Sequence, residues 1–129
     1  MNANTEEFLL QWNTSSLISH WAEFREYIVN KKPLLAAVQE TRFLDSDFDK
    51  YRLTPFGYSL YCNNVEDLPR RGGSALYVSN NILHHQVAFN STLNYVAVNV
   101  KIAQREIIIL SIYLSPSLNI SYEQLDQLF

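Results

Sequence analysis

The stretch Leu34-Leu35-Ala36-Ala37-Val38-Gln39-Glu40-Thr41-Arg42 constrains the fold most. An apolar run of strand length follows Pro33 and stops abruptly on Gln39-Glu40-Thr41. A run bounded by a breaker and a polar end fits a strand buried on both faces, with a covering layer on each side of its sheet. Its end carries Glu40 to the rim of that sheet, where ligands of open α/β sheets collect. A glutamate after an apolar run is by itself the ordinary solvated end of a strand. Here it has company, because the earlier run Phe8-Leu9-Leu10 also closes on a polar rim, Gln11-Trp12-Asn13.

Between the two runs lies Thr14-Ser15-Ser16, a turn rich in cap-forming side chains. Leu17, Trp21, Phe24 and Ile28 then recur at spacings of four, three and four. This predicts an amphipathic helix over about 19–32, with Glu23, Arg25 and Glu26 outward. Lys31-Lys32 suit its C-terminus, where cations complement the dipole, and Pro33 enforces the stop. Strand, helix and strand on short links form a βαβ unit, so the two strands are expected to be parallel neighbours.

Residues 43–55 lose the pattern, and Asp45, Asp47, Asp49 and Lys50 read as a surface loop that can hold a short turn of helix. Asp45-Ser46-Asp47-Phe48-Asp49 lacks the glycine and distal glutamate of an EF-hand, which argues against calcium. Tyr58-Ser59-Leu60-Tyr61 alternates as a strand, a polar excursion runs from Asn63 to Arg71, and Ser74 to Val78 is the next strand. Ser79-Asn80-Asn81 is its turn, and His84-His85 read as following an apolar loop. Tyr95 to Lys101 alternates with Val96, Val98 and Val100 on one face, and Ala103-Gln104-Arg105 turns into Glu106–Tyr113. The pair predicts an antiparallel hairpin, and Ile107-Ile108-Ile109-Leu110 reads as a central strand covered on both sides. After the break at Ser115-Pro116-Ser117, Ser121-Tyr122-Glu123-Gln124 has the form of a capping box, with Leu125, Leu128 and Phe129 as the helix's apolar stripe. Ending on an apolar residue barely two turns into that helix, the chain reads as cut.

With 129 residues, 47% of them hydrophobic, the chain can build one domain with a real core, expected over 8–129 after a disordered 1–7. No apolar run approaches the roughly 20 residues that cross a bilayer, and the acidic N-terminus has no signal-peptide pattern. The single cysteine, Cys62, excludes an internal disulfide or a multi-cysteine zinc site and suits a nuclear or cytoplasmic setting as a small packing residue. A net charge of −3, with Arg70-Arg71 as the one compact basic pair, argues against stand-alone DNA binding and does not exclude an enzyme that binds nucleic acid weakly.

Four segments in order carry a family likeness: Leu10-Gln11-Trp12-Asn13, Gln39-Glu40-Thr41-Arg42, Arg71-Gly72-Gly73-Ser74-Ala75-Leu76-Tyr77-Val78 and Ser111-Ile112-Tyr113-Leu114-Ser115-Pro116. The chain resembles the N-terminal half of the endonuclease/exonuclease/phosphatase superfamily, and within it the endonuclease domain of non-LTR (LINE-type, jockey-like) retrotransposons. The resemblance implies an α/β fold with mixed sheets, the first half of a four-layer sandwich. It further implies Mg²⁺-dependent (or Mn²⁺-dependent) cleavage of DNA phosphodiester bonds, in retrotransposons a nick that primes reverse transcription. Neither a small-molecule cofactor nor a membrane enters. Asn13 matches the active-site asparagine that closes the first strand, Glu40 the acidic metal ligand, and Tyr113 the tyrosine on the scissile phosphate. Asn13 and Glu40 would share the metal. The chemistry agrees, since Mg²⁺ takes oxygen ligands and usually only one or two carboxylates.

The departures are specific. The family's first motif runs Trp-Asn-x-Asn-Gly-Leu, and here it is Trp12-Asn13-Thr14-Ser15-Ser16-Leu17. If the replaced glycine takes positive φ, Ser16 carries a strain of about 1 kcal/mol or more. The family's Gly-Asp-x-Asn and Ser-Asp-His segments do not occur in the chain, and His20, His84 and His85 read as structural or solvated. Three readings follow: part of an endonuclease site, nearly inactive without its later motifs; a non-catalytic interaction module, whose partner could be the missing C-terminal half; or a relative acting on another phosphoester.

Overall fold

The computed structural model describes residues 8–44, 46–47, 52–63, 72–114 and 122–127. The readings made for residues 1–7, Asp45, Phe48-Asp49-Lys50, residues 64–71 with Arg70-Arg71, Ser115-Pro116-Ser117, Ser121, and Leu128-Phe129 lie outside these, as does the side chain of Leu125.

Strand β1 (Leu9–Asn13) leads through a 3-10 turn (Ile18–His20) into helix α1 (Trp21–Lys31), and β2 (Leu35–Gln39) follows. The tighter first turn takes up what the periodicity assigned to the start of one helix. Lys32 closes α1 in the left-handed conformation, its N–H bonded to Ile28 O. As the βαβ pattern predicts, β1 and β2 pair in parallel, Leu9 opposite Leu35 and Asn13 opposite Gln39. Strand β4 (Ser74–Ser79) pairs antiparallel with β2 and with β3 (Tyr58–Asn63), giving a mixed sheet in the order β1-β2-β4-β3. A second, antiparallel sheet holds β5 (His84–Val87), β6 (Asn94–Ile102) and β7 (Arg105–Tyr113) in that order. A short helix α2 (Tyr122–Asp126) follows.

The mixed sheet is covered on both faces, which is why β2 and β4 are buried along their whole lengths. On one face α1 inserts Phe24 and Ile28, with Leu17 ahead of it, between Ala36, Val38, Ala75 and Tyr77. Full burial of a side chain such as Phe24 stabilises by about 1.5–3 kcal/mol. On the other face, Leu35, Ala37, Leu76 and Val78 meet Val96, Val98 and Val100 of the second sheet. Helix, sheet and sheet thus form three successive layers of an α+β fold.

Three readings need correction. Ile107–Leu110 is not covered on both sides: β7 ends its sheet, leaving Ile107 39% and Ile108 46% exposed. His84-His85 belong to strand β5, which pairs with Val100 to Ala97; its His-His-Gln-Val carries no hydrophobic alternation to betray it. His84 Nδ1 lies 2.9 Å from Ile82 O and its Nε2 2.9 Å from the Tyr61 hydroxyl, so its place is structural. Asp47 is buried, accepting a 2.7 Å hydrogen bond from the Leu44 N–H and closing its own turn.

Candidate functional site

Side chains alternate along β1, so Leu10 and Trp12 turn toward the helix layer, while Gln11 and Asn13 lie exposed on the opposite face. Trp12 packs there against Phe24 and His20, with ring centroids 6.2 and 5.7 Å apart. This anchoring fixes where Asn13 emerges. Beside it, β2 delivers Glu40 immediately after the buried Gln39. β7 supplies Tyr113 from the second sheet.

The backbone at this end is unusually strained for residues with side chains. Ser15, Ser16, Glu40 and Arg42 all adopt positive φ, at 49°, 95°, 54° and 53°. Each such residue costs of order 1–3 kcal/mol, persists only when its surroundings hold it, and marks sites where geometry matters more than local comfort. The surroundings do hold it. The N–H groups of Thr14, Ser16 and Leu17 donate to the carbonyls of Gln39, Glu40 and Thr41 at 3.0, 2.8 and 3.1 Å. The Thr14 hydroxyl lies 3.1 Å from both Gln39 O and Glu40 O. On the far side, Arg42 N–H donates to Gly72 O at 3.0 Å. The loop carrying Glu40 is therefore laced to the end of β1 and to the glycine pair.

Those glycines are needed for space as well as for φ. A Cβ on Gly72, whose φ is +78°, would stand 2.5 and 2.6 Å from two carbons of the Tyr113 ring. One on Gly73, at φ +92°, would press on Thr41 Oγ1. Tyr113 thus lies flush against a bare backbone.

Asn13, Glu40 and Tyr113, the three residues singled out from the sequence, come together in one cleft of about 270 Å³, lined also by Gln11, Gln39, Ile112 and Leu114. Glu40 is partly exposed, and Arg42 approaches its Oε1 at 3.5 Å, a loose surface pair of small energetic value. A cluster of three or more His, Cys, Asp or Glu side chains does not occur among the described residues. The cleft instead offers one carboxylate with neighbouring carboxamide and phenol groups. This oxygen-rich, sulfur-free set fits a hard divalent cation such as Mg²⁺, which completes its shell with water and phosphate oxygens. Sequence reading passed over Gln39 and Ser111. Their signal is a polar residue at an inward position of an otherwise apolar strand.

Two groups outside the cleft, the partly buried Cys62 and the buried Tyr77, lie together on the helix side of the mixed sheet. Burial pushes the Cys62 thiol up, in keeping with a packing role beside the helix-side core. Burial, and then Cys62, push the Tyr77 phenol up much further, and its hydroxyl has no hydrogen-bond partner among the described residues. No helix among the described residues is long and apolar enough to cross a membrane.

No protein-family model and no curated protein matches the sequence. Solved structures do match. The endonuclease domain of TRAS1, a telomere-specific non-LTR retrotransposon, superposes with a TM-score of 0.65 at 20% identity, over 93% of this chain and 51% of that one. The AP endonuclease LMAP from Leishmania major gives 0.67 at 14% identity, over 92% and 43%. Truncated Caenorhabditis elegans TDP2 gives 0.51 at 20%, over 92% and 49%. The chain spans about half the length of the structures it matches. The likeness read from the four sequence segments therefore holds at the level of architecture: over most of its length the chain shares the fold of the TRAS1 endonuclease domain and of the AP endonuclease LMAP.

Proposed function

We propose that the chain carries part of a divalent-metal-dependent site for hydrolysing DNA phosphodiester bonds, of the kind that nicks target DNA in retrotransposition. The observation that carries the reading is the single cleft lined by Asn13 of β1, Glu40 just past the end of β2, and Tyr113 of β7 in the second sheet. Glu40 and Asn13 would hold Mg²⁺ or Mn²⁺, and the Tyr113 hydroxyl would donate to a phosphate oxygen. A carboxamide and a phenol orient a phosphate without adding repulsive charge. When bound, the metal polarises the phosphoryl oxygen and stabilises the negative charge that develops on it. The remaining groups, which align and deprotonate the attacking water, would come from Gly-Asp-x-Asn and Ser-Asp-His segments, and these 129 residues contain neither. Their loss typically costs several orders of magnitude in rate.

The test is a supercoiled-plasmid nicking assay with Mg²⁺ and with Mn²⁺. The chain alone should show at most trace nicking. A longer chain carrying both later segments should nick, and Glu40→Ala should lower that rate about 10³-fold or more, as loss of a metal ligand does. Robust nicking by these 129 residues, or a Glu40→Ala variant as active as its parent, rejects the reading.

The interaction-module reading has its own observation. β1 and β7 both end their sheets, and Leu9, Ile107 and Ile108 are exposed there at 51%, 39% and 46%. Open strand edges are templates for pairing with another chain, including a C-terminal half supplied separately. The mass of the purified chain in solution separates the two readings: a stable stoichiometric complex favours the module.

A further inference from the structure

The facing surfaces of the two sheets meet mainly through aliphatic side chains, from Leu35 and Ala37 on one side to Val96, Val98 and Val100 on the other. Hydrophobic attraction has no direction, so it holds the sheets together without specifying their offset. At the end nearest the cleft this contact changes character: Asn63 Nδ2 donates to Tyr95 O at 3.0 Å and Ser74 Oγ to Asn94 Oδ1 at 2.9 Å, joining β3 and β4 to β6, and Gln39 and Ser111 join β2 to β7. Gln39 and Ser111 are 8% and 1% exposed, polar residues on strands otherwise packed by hydrocarbon. The Gln39 amide nitrogen donates to Ser111 Oγ at 2.9 Å and to Gln11 Oε1 at 3.1 Å. Gln39 Oε1 accepts from Gln11 Nε2 in return. The Ser111 hydroxyl donates to Val38 O at 2.9 Å, back onto the strand that carries Gln39. Both hydrogens and the oxygen of the Gln39 carboxamide are thereby satisfied, and a fully satisfied buried network is rigid.

Its position is as informative as its bonds. Gln39 immediately precedes Glu40, and Ser111 stands two residues before Tyr113 on the same face of β7. We infer that Gln39 is a positioning residue for the site. Through Ser111 it locks the strand bearing Glu40 to the strand bearing Tyr113 at one offset, and through Gln11 it ties both to the strand bearing Asn13. Its functional meaning rests on the reading of those three residues given above. The geometric lock does not.

The experiment compares the chain with its Gln39→Met, Ser111→Ala and Val98→Ala variants by NMR, after each has been shown to be folded. Methionine keeps the length and bulk of Gln39 but can make none of its bonds. Val98→Ala removes packing from the same interface and leaves the network untouched. Two quantities are read: the Tyr113 ring shifts without metal, and Mg²⁺ affinity from the Glu40 and Asn13 amides. Gln39→Met and Ser111→Ala should displace the Tyr113 ring resonances and weaken Mg²⁺ about tenfold, the effect typical of groups that orient metal ligands. Val98→Ala should change neither. Unchanged ring shifts and affinity in Gln39→Met, or equal changes in Val98→Ala, overturn the inference. Should the parent chain's Glu40 and Asn13 amides ignore Mg²⁺, the site reading fails, and the ring shifts alone then decide whether Gln39 sets the geometry.

Discussion

Ser16 shows how a single side chain can sit against its own backbone. Its φ of 95° lies where residues other than glycine are penalised, and its neighbour Ser15 is strained as well. The N–H of Ser16 donates to Glu40 O at 2.8 Å, so the conformation is held in place by the loop it helps to shape. Ser16→Gly should therefore keep that bond and raise stability by about 1 kcal/mol, measured as a higher urea midpoint with an unchanged slope. A lower midpoint would show that the serine hydroxyl, 3.2 Å from Ser19 Oγ, contributes more than the strain costs. At this scale the sequence is legible where a motif is explicit. Asn13, Glu40 and Tyr113 are singled out only through the family segments they match, whereas the Gln39–Ser111 linkage joins residues 72 positions apart, a pairing no local pattern announces.

Among the elements, α1 and β2 follow directly from hydrophobic spacing, because one stripe and one fully apolar run each have a single good burial. β5 and β7 do not. His84–Val87 is a strand only because β6 offers it an edge, and Ile107–Leu110 is apolar enough for a central strand yet ends its sheet. Pairing partners, not composition, decide both. The strength of the α1 contact can be tested through Phe24, which is 1% exposed and packs on Trp12, Trp21 and Tyr77 at centroid distances of 6.2, 5.7 and 5.0 Å. Phe24→Ala should cost about 3–5 kcal/mol, a large share of the roughly 5–15 kcal/mol that holds a domain together. The chain's only two tryptophans both border the resulting cavity, so their fluorescence should red-shift even below the unfolding midpoint. A loss under about 1 kcal/mol would mean that the helix layer collapses onto the sheet without Phe24.

For the molecule as a whole, β1 and β7 are, among the described residues, the edge strands of their sheets next to the cleft. Ile108, 46% exposed on β7, is the natural place to blunt that edge. Lysine on an edge strand opposes pairing with another copy, so Ile108→Lys should shift light-scattering mass toward the monomer while leaving the circular dichroism spectrum unchanged. Persistent assembly would place the contact elsewhere. The layering of the sheets also governs time. The bonds from Gln39 and Val38 to Ser111 close loops of 72 and 73 residues, and β2 gains its second neighbour only when residues 74–79 have been made. Long loops are closed late and at an entropic cost, and folds dominated by such pairings form slowly. Glu40 and Tyr113 therefore meet only near the end of folding. A chain emerging from the ribosome would carry a helix and two strands well before it carries a cleft, and whatever the cleft binds can select only molecules that have finished.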